Sequence, residues 1–203
     1  MSTQTQNEER LVYRVYQTVL EMLSDRGWKN IPSVPDFENF KSQYNNKNLD
    51  IDIAEDDKSV YIHFNNDTKS MGKSALVSLV QKIKADNDSP NLGIIIIPRE
   101  KISSGISKLV SEEKEKYKNI EFFLFDDLFI NKTHYVDCPV HILLTDEEKK
   151  GVMEHYHLKE NQLSKIRFDS PICRYYGAKL GQVFKIIRYS PTAGESVFYR
   201  IVR

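Results

Sequence analysis

The sequence predicts an α/β N-terminal domain with a short mixed sheet flanked by helices, and a small α+β C-terminal domain with a terminal β-hairpin. Helical periods alternate with short apolar runs through the first half of the 203 residues. The run at residues 93–98 is apolar throughout, as expected of a central strand covered on both faces. The pattern changes at residues 133–139, where we place the boundary between domains 1–136 and 137–203.

The first elements follow from the spacing of apolar side chains. They recur every three or four positions from residue 8 to residue 25, which predicts an amphipathic helix that Gly27 ends. A short second helix is predicted around Phe40. Alternation at residues 49–53 and 60–64 then predicts two strands joined by an acidic turn.

The rest of the N-terminal domain reads as a strand between two helices, followed by one more strand. Helical spacing at residues 71–83 precedes the apolar strand, and helical spacing returns at residues 102–110. The last strand of this domain is predicted at residues 120–125. Strand, helix and strand in this order are typical of an α/β layer architecture.

The C-terminal domain is predicted to begin with a strand at residues 140–144. Thr145 and Glu148 have the spacing of a capping box, so a helix is expected from there to about Tyr156. A second, short helical piece is predicted at residues 160–165. The turn pairs Tyr176-Gly177 and Leu180-Gly181 should follow it.

Two strands close the chain, at residues 182–189 and 196–202, with a hairpin loop at 191–195. A domain of about 67 residues is near the size at which a lone core becomes marginal. We therefore expect a partner to hold it.

The formal net charge of +0 is a sum of unlike parts. Residues 1–136 hold 18 basic and 21 acidic side chains, whereas residues 137–203 hold 11 and 8. Residues 159–203 carry nine basic side chains against three acidic ones, interleaved with aromatic residues. This composition fits either nucleic-acid contact or an interface that buries Arg and Tyr, and charge alone does not choose between them.

Two further features of the sequence indicate the cellular compartment of the protein. No apolar run approaches the roughly 18 residues of a membrane span, and the polar start lacks the apolar core of a signal peptide. Two cysteines are too few for a disulfide framework. We therefore predict an intracellular protein with no membrane partner.

A catalytic site is not evident at any diagnostic spacing, and neither is a phosphate-binding glycine loop. One acidic group beside the first strands could hold Mg²⁺ in a nuclease-like α/β domain; it comprises Asp50, Asp52, Glu55, Asp56 and Asp57. A solvated turn explains it more simply, because no Glu-x-Lys or Asp-x-Lys follows on the next strand. A metal-dependent nuclease therefore stays as an alternative, beside a free-standing DNA-binding protein.

Thiol and imidazole side chains also cluster in the C-terminal half. Zinc prefers such ligands, and the candidates are Cys138, His141, His155 and His157. Their spacing is loose, because His155 and His157 are two positions apart and residues two apart face different directions on a helix. Cys173 lies beside Arg174 but no base is evident, so it reads as a buried thiol. We predict no metal, no cofactor and no small-molecule substrate.

The motifs of the tail resemble one family: the fifth subunit, common to the three nuclear RNA polymerases of eukaryotes, together with its archaeal counterpart. They occur in order and cover most of the tail; they are His141-Ile142-Leu143-Leu144, Tyr156 to Leu163, Arg174-Tyr175-Tyr176-Gly177, Gly181-Gln182-Val183, Lys185-Ile186-Ile187-Arg188, Ser190, Thr192-Ala193-Gly194 and Tyr199-Arg200. The helix ending Asp25-Arg26-Gly27-Trp28, and the central strand followed by residues 102–110, resemble the N-terminal jaw domain of the eukaryotic type.

The resemblance implies a non-catalytic subunit of DNA-directed RNA polymerase. Residues 137–203 would be the assembly domain that docks on the largest subunit, and residues 1–136 the jaw beside downstream duplex DNA. It implies a nuclear location, or a viral transcription compartment or virion if a large DNA virus encodes the chain.

The resemblance also assigns candidate residues. A family turn, Thr-Pro-Ser-Ala, approaches DNA and matches Ser103-Ser104-Gly105-Ile106, from which this sequence departs at Ser104, Gly105 and Ile106. The basic and aromatic tail supplies the predicted partner interface: His141, Arg174, Tyr175, Tyr176, Gly177, Lys185, Arg188, Tyr199 and Arg200.

Overall fold

The structure, a computed structural model, forms two compact units, Met1–Ile130 and Asn131–Arg203. It describes residues 3–45, 49–55, 58–65, 71–87, 89, 91–100, 102–112, 119–190, 192 and 194–203. The predicted fold class is confirmed in both units. The first unit ends a few residues before the boundary predicted from composition.

The first unit opens with two helices, α1 (Thr3–Asp25) and α2 (Phe37–Asn45). Gly27 ends α1 as predicted, with φ of +85°. Its N–H donates to the Ser24 carbonyl at 2.9 Å, and the Trp28 N–H donates to the Leu23 carbonyl at 3.1 Å. These two bonds form a Schellman motif, which satisfies carbonyls that a helix end otherwise leaves without donors.

A four-stranded sheet follows, in the order β1-β2-β3-β4. Strand β1 (Ile51–Glu55) is antiparallel to β2 (Lys58–Asn65), and β3 (Leu92–Pro98) is parallel both to β2 and to β4 (Ile120–Phe122). Residues 94–97 of β3 are all buried, so the prediction of a central strand covered on both faces is confirmed.

Helices cover both faces of this sheet. On one face, α3 (Lys73–Asp86) and α4 (Ser104–Glu112) bury an aliphatic cluster against β3; its members include Leu76, Val80, Ile83, Ile94, Ile96, Ile106 and Leu109. On the other face, the Tyr16 ring of α1 lies 5.6 Å from the Phe64 ring of β2. Helix α1 therefore closes the second side.

The last strand of this unit is shorter than predicted. Pairing with β3 ends at Phe122, and Phe125 begins a short helix, α5 (Phe125–Leu128). Phe125 and Leu128 are both buried, three positions apart on one helical face. Two aspartates in the first turn favour the helical conformation, because carboxylates stabilise the free N–H groups there.

The second unit has its own sheet, in the order β5-β7-β8-β6. Strand β5 (Val140–Leu143) is antiparallel to β7 (Val183–Ser190), which forms the predicted terminal hairpin with β8 (Gly194–Val202). Strand β6 (Ser164–Ile166) is parallel to β8. Between strands lie helices α6 (Asp146–His155) and α7 (Pro171–Tyr175).

The predicted capping box at the start of α6 is confirmed. The Glu148 N–H donates to the Thr145 hydroxyl at 3.2 Å, and the Thr145 N–H donates to the Glu148 carboxylate at 2.8 Å. The start of α7, which the sequence did not predict, is capped in a similar way: Ser170 accepts from the Cys173 N–H at 3.3 Å and Pro171 is the first helical residue.

The predicted helical piece at residues 160–165 is wrong in its second half. A single 3₁₀ turn ends at Gln162, and β6 begins at Ser164. Leu163 and Ile166 have helical spacing, yet they lie on opposite faces of the sheet. Leu163 packs with Val183, and Ile166 packs with Phe184.

Candidate docking surface

Side chains alternate across the C-terminal sheet, so its pairing register defines two faces. The α6 face carries Val140, Ile142, Val183, Lys185, Ile187, Val197, Tyr199 and Ile201. The α7 face carries His141, Leu143, Phe184, Ile186, Arg188, Phe198, Arg200 and Val202.

Helix α6 covers only half of the first face. Val183 and Ile201 are buried under Val152 and Leu158. Beyond this cover the face is apolar and open: Val140 is 53% exposed, Ile142 41% and Val197 40%. Val140, Ile187 and Val197 form one row across three strands. A bare apolar row on an otherwise packed sheet is typical of an interaction surface.

The α7 face is packed at its centre. Phe184 is fully buried, and its ring lies 5.7 Å from Tyr176 and 6.0 Å from His141. The His141 Nδ1 donates to the Pro139 carbonyl at 2.7 Å. Burial lowers the pKa of His141, the hydrogen bond to Pro139 opposes this shift, and the charge of Arg200 adds to it.

An exposed aromatic ring flanked by two arginines continues this face. Phe198 is 53% exposed and lies opposite the buried Ile186. Arg200 is two positions further along β8, and Arg188 lies diagonally across on β7. Among the described residues neither arginine has an ion-pair partner, and such guanidinium groups are available to a carboxylate or phosphate.

The structure distributes the predicted interface residues over both faces and the core. Lys185 and Tyr199 are cross-strand neighbours on the α6 face, whereas His141, Arg188 and Arg200 lie on the α7 face.

The aromatic motif of the predicted set lies at the end of α7. Tyr175 is only 7% exposed, and its hydroxyl accepts from the Asn131 amide at 3.0 Å. Its ring lies 5.3 Å from the ring of Tyr176. Gly177 has φ of +61°, as a turn after a helix requires. Tyr175 is therefore part of this unit's own core.

Sequence reasoning missed the exposed apolar residues Val140, Ile142, Val197 and Phe198. The signal was present, because both closing strands carry apolar residues at positions that face opposite sides. Which of these positions stay open depends on how far α6 and α7 reach, and the sequence does not give that.

The predicted DNA turn begins α4 in the first unit. Ser104 is the first helical residue, and the Ile106 N–H donates to the Ser103 carbonyl at 3.0 Å. Ser104 and Gly105 are exposed, whereas Ile106 is buried in the core beneath. The buried Ile106 side chain thus holds the turn on the core, and Ser104 and Gly105 form the exposed surface of the turn.

Within the acidic group proposed for Mg²⁺, Asp50 accepts hydrogen bonds from neighbouring protein groups. The Asp50 carboxylate accepts from the Tyr61 hydroxyl at 2.8 Å, His63 Nδ1 at 2.9 Å and the Phe64 N–H at 3.1 Å. Burial would raise the pKa of Asp50, but the hydrogen bonds and charge of His63, with Tyr61 and Phe64, together lower it. Asp50 is therefore a structural cross-strand carboxylate.

The remaining candidate ligands do not converge in the part of the chain that the structure describes. Glu55 accepts from the backbone N–H groups of Lys29 and Asn30, while Asp56 and Asp57 lie outside the described residues. Across the described residues no three His, Cys, Asp or Glu side chains form a group able to hold a metal ion. The thiol of Cys173 is buried, as predicted, and burial raises its pKa.

Within the described ranges, no helix combines the length and apolar character that crossing a bilayer requires. The sheet of the second unit is only partly covered by its helices, and its exposed parts carry apolar and cationic side chains. Exposed apolar and cationic side chains on one small sheet define the class of a protein with an interaction surface.

Comparison with known proteins identifies the family. Residues 130–202 match the family model "RNA polymerase Rpb5, C-terminal domain". The chain is 32% identical over 205 residues to the Caenorhabditis elegans protein DNA-directed RNA polymerases I, II, and III subunit RPABC1, covering 94% of this chain and 95% of the relative. It is 33% identical over 190 residues to the Dictyostelium discoideum subunit rpabc1, covering 93% and 95%. The chain belongs to the Rpb5 family, the shared fifth subunit of RNA polymerases, and is a non-catalytic subunit.

Proposed function

We propose that the second unit docks on the largest subunit of a DNA-directed RNA polymerase, and that the first unit lies beside the downstream duplex DNA. The observation that carries the docking proposal is the half-covered sheet of the second unit. Its Arg-Phe-Arg surface on one face consists of residue types that are enriched at interfaces, and its open apolar row on the other face is area that a partner can remove from water.

Docking explains why a unit this small leaves apolar side chains open. Burying Val140, Ile142 and Val197 against a partner removes their exposed area from water, at about 25 cal/mol per Å². The exposed Arg188 and Arg200 can then pair with carboxylates in a partly desolvated site, where a charged hydrogen bond is stronger than in water.

The proposed contact of the first unit with DNA uses the turn that begins α4. The exposed Ser104 and Gly105 stand where the helix has free backbone N–H groups, which suit a phosphate oxygen. Residues 1–136 have three more acidic than basic side chains, 21 against 18, so long-range attraction to DNA is not expected of this unit alone. The affinity belongs to the assembled polymerase.

The proposed location follows from the polymerase. A chain that assembles with a nuclear enzyme works in the nucleus, and a chain encoded by a large DNA virus works in the viral transcription compartment or is carried in the virion. The largest subunit that co-purifies with the chain distinguishes these two origins.

Co-expression of the tagged full chain with the largest polymerase subunit tests the function. We expect capture of that subunit by the wild-type chain, and capture reduced about tenfold by Arg200→Ala, because one charged hydrogen bond is lost. Arg167→Ala is the matched control, since the Arg167 side chain is 83% exposed and, among the described residues, pairs with the neighbouring Asp169. Failure of the wild-type chain to capture any polymerase subunit would overturn the proposal, as would Mg²⁺-dependent DNA cleavage by the purified chain.

A further inference from the structure

The edge of β8 is paired along only part of its length. Strand β7 pairs with β8 from Gly194 to Ile201 without interruption. On the opposite side β6 is much shorter and pairs only with residues 200–202. Residues 194–199, here called the open edge, therefore have a strand on one side only in the part of the chain that the structure describes.

The backbone of the open edge points outward at alternate residues. The Val202 N–H donates towards β7, to the Gln182 carbonyl at 2.9 Å, whereas the Arg203 N–H donates to the Ile166 carbonyl of β6 at 2.9 Å. The backbone N–H groups of a strand point to alternate sides. Because the pairing of β8 with β7 has no bulge, the Val197 N–H points to the same side as the Arg203 N–H. The N–H and C=O of Val197 thus point to where β6 would continue, and no described strand pairs with them there.

Side chains on both faces of this edge are apolar and open. Val197 lies on the α6 face and Phe198 on the α7 face, and both are exposed. A helix packed on the sheet covers one face only. An added strand covers both, because its own side chains alternate in the same way.

The charges beside the edge indicate what such a strand carries. Arg200 lies on β8 two positions from Phe198 on the α7 face, and Arg188 and Lys185 lie one strand further in, on β7. Glu195 is the one acidic side chain within residues 183–203. An incoming strand with carboxylates next to apolar residues complements this pattern.

We propose that the open edge of β8 receives an extended, partly acidic segment of the polymerase subunit on which the second unit docks, added to the sheet as a further strand beside β6. This inference rests on the proposed docking function and names its mode. Backbone hydrogen bonds at Glu195 and Val197 fix the added strand, and Val197 and Phe198 pack against its two faces.

Hydrogen exchange resolved at single amides tests the proposal in the full chain. In the free chain we expect the Val197 amide to exchange fast and the Phe198 amide, which points towards β7, to exchange slowly. On assembly with the largest subunit the Val197 amide should slow at least about tenfold, since it gains a hydrogen bond. The Phe198 amide is the internal control.

A pair of variants gives a second measurement. Val197→Pro removes the outward N–H and leaves the hairpin bonds to β7 in place, whereas Val197→Thr keeps both the N–H and the β-branched shape. Capture of the largest subunit should fall about tenfold in Val197→Pro and persist in Val197→Thr. Exchange protection of β7 in the free variants reports whether the hairpin is intact; if Val197→Pro unfolds, the wild-type exchange result decides alone.

Each remaining outcome is decisive. Docking with an unprotected Val197 amide, or capture by a folded Val197→Pro equal to that by Val197→Thr, would overturn the added strand and leave the docking function intact. A Val197 amide already protected in a dimer of the free chain would assign the edge to a second copy. Protection that appears only on adding nucleic acid would assign it to that ligand. No capture by the wild-type chain contradicts the docking function itself.

Discussion

Truncation of two phenylalanines on the same sheet face separates folding from docking. Phe184 and Phe198 both lie on the α7 face, one fully buried and the other 53% exposed. Phe184→Ala leaves a cavity beside Tyr176 and His141, and such a change costs about 3–5 kcal/mol. Phe198→Ala leaves no enclosed cavity and loses only the buried part of its ring, so we expect about 1 kcal/mol or less.

The larger loss is comparable to the whole stability of the second unit. At about 0.05–0.15 kcal/mol per residue, a unit of this size is stable by only about 4–11 kcal/mol. Phe184→Ala should therefore reduce the hydrogen-exchange protection of β5, β7 and β8 at least about a hundredfold, while β3 of the first unit stays protected. Phe198→Ala should keep that protection and lose capture of the largest subunit.

Urea titration of the full chain, followed by amide exchange in each unit, measures both effects. Equal destabilisation by the two variants would refute the burial argument, because it would mean that Phe198 is packed as Phe184 is. A Phe198→Ala chain that folds and still captures the subunit at wild-type level would show that this ring adds nothing to docking.

Three further perturbations test local features by thermal or urea unfolding. Gly27→Ala should cost about 1–2 kcal/mol through backbone strain, since φ is +85° and no atom of the described residues lies within 4 Å of the added Cβ. An unchanged unfolding temperature would contradict the helix-ending motif. Thr145→Ala should cost about 1 kcal/mol by removing the cap of α6, and Thr145→Ser should restore it; equal stability of the two variants would contradict the capping argument. The lowered pKa of Asp50 stabilises the first unit above the ordinary pKa of 3.8, and this stability is lost as the pH falls through the lowered value in the folded chain. Asp50→Asn should therefore flatten the acid limb of the stability profile, and an acid limb as steep as that of the wild-type chain would exclude the carboxylate as its source.

Local signals in the sequence were enough to predict much of the fold. The capping box at Thr145, the end of α1 at Gly27 and the apolar strand β3 depend on neighbouring residues, and each is confirmed. The helical piece predicted at residues 160–165 is wrong from Ser164 onwards. Only pairing with β8, far along the chain, makes Ser164–Ile166 a strand.

The candidate surface was less accessible from the sequence. The basic and aromatic composition of the tail indicated an interface, but it did not distinguish the buried Tyr175 from the exposed Phe198. That difference depends on where α6 and α7 end over the sheet, which is a matter of tertiary packing. Residue type alone therefore predicts that an interface exists but not which side chains form it.

The connections of the C-terminal sheet also bear on how fast it forms. The hairpin closes between Ser190 and Gly194, four positions apart, whereas β5 reaches β7 by pairing Leu143 with Phe184. Closing a short loop loses less chain entropy than closing a long one, so the hairpin should form first and template β5. The hairpin at the C-terminal end of this sheet is thus its nucleus, and β5 adds to a β7 strand that β8 already holds.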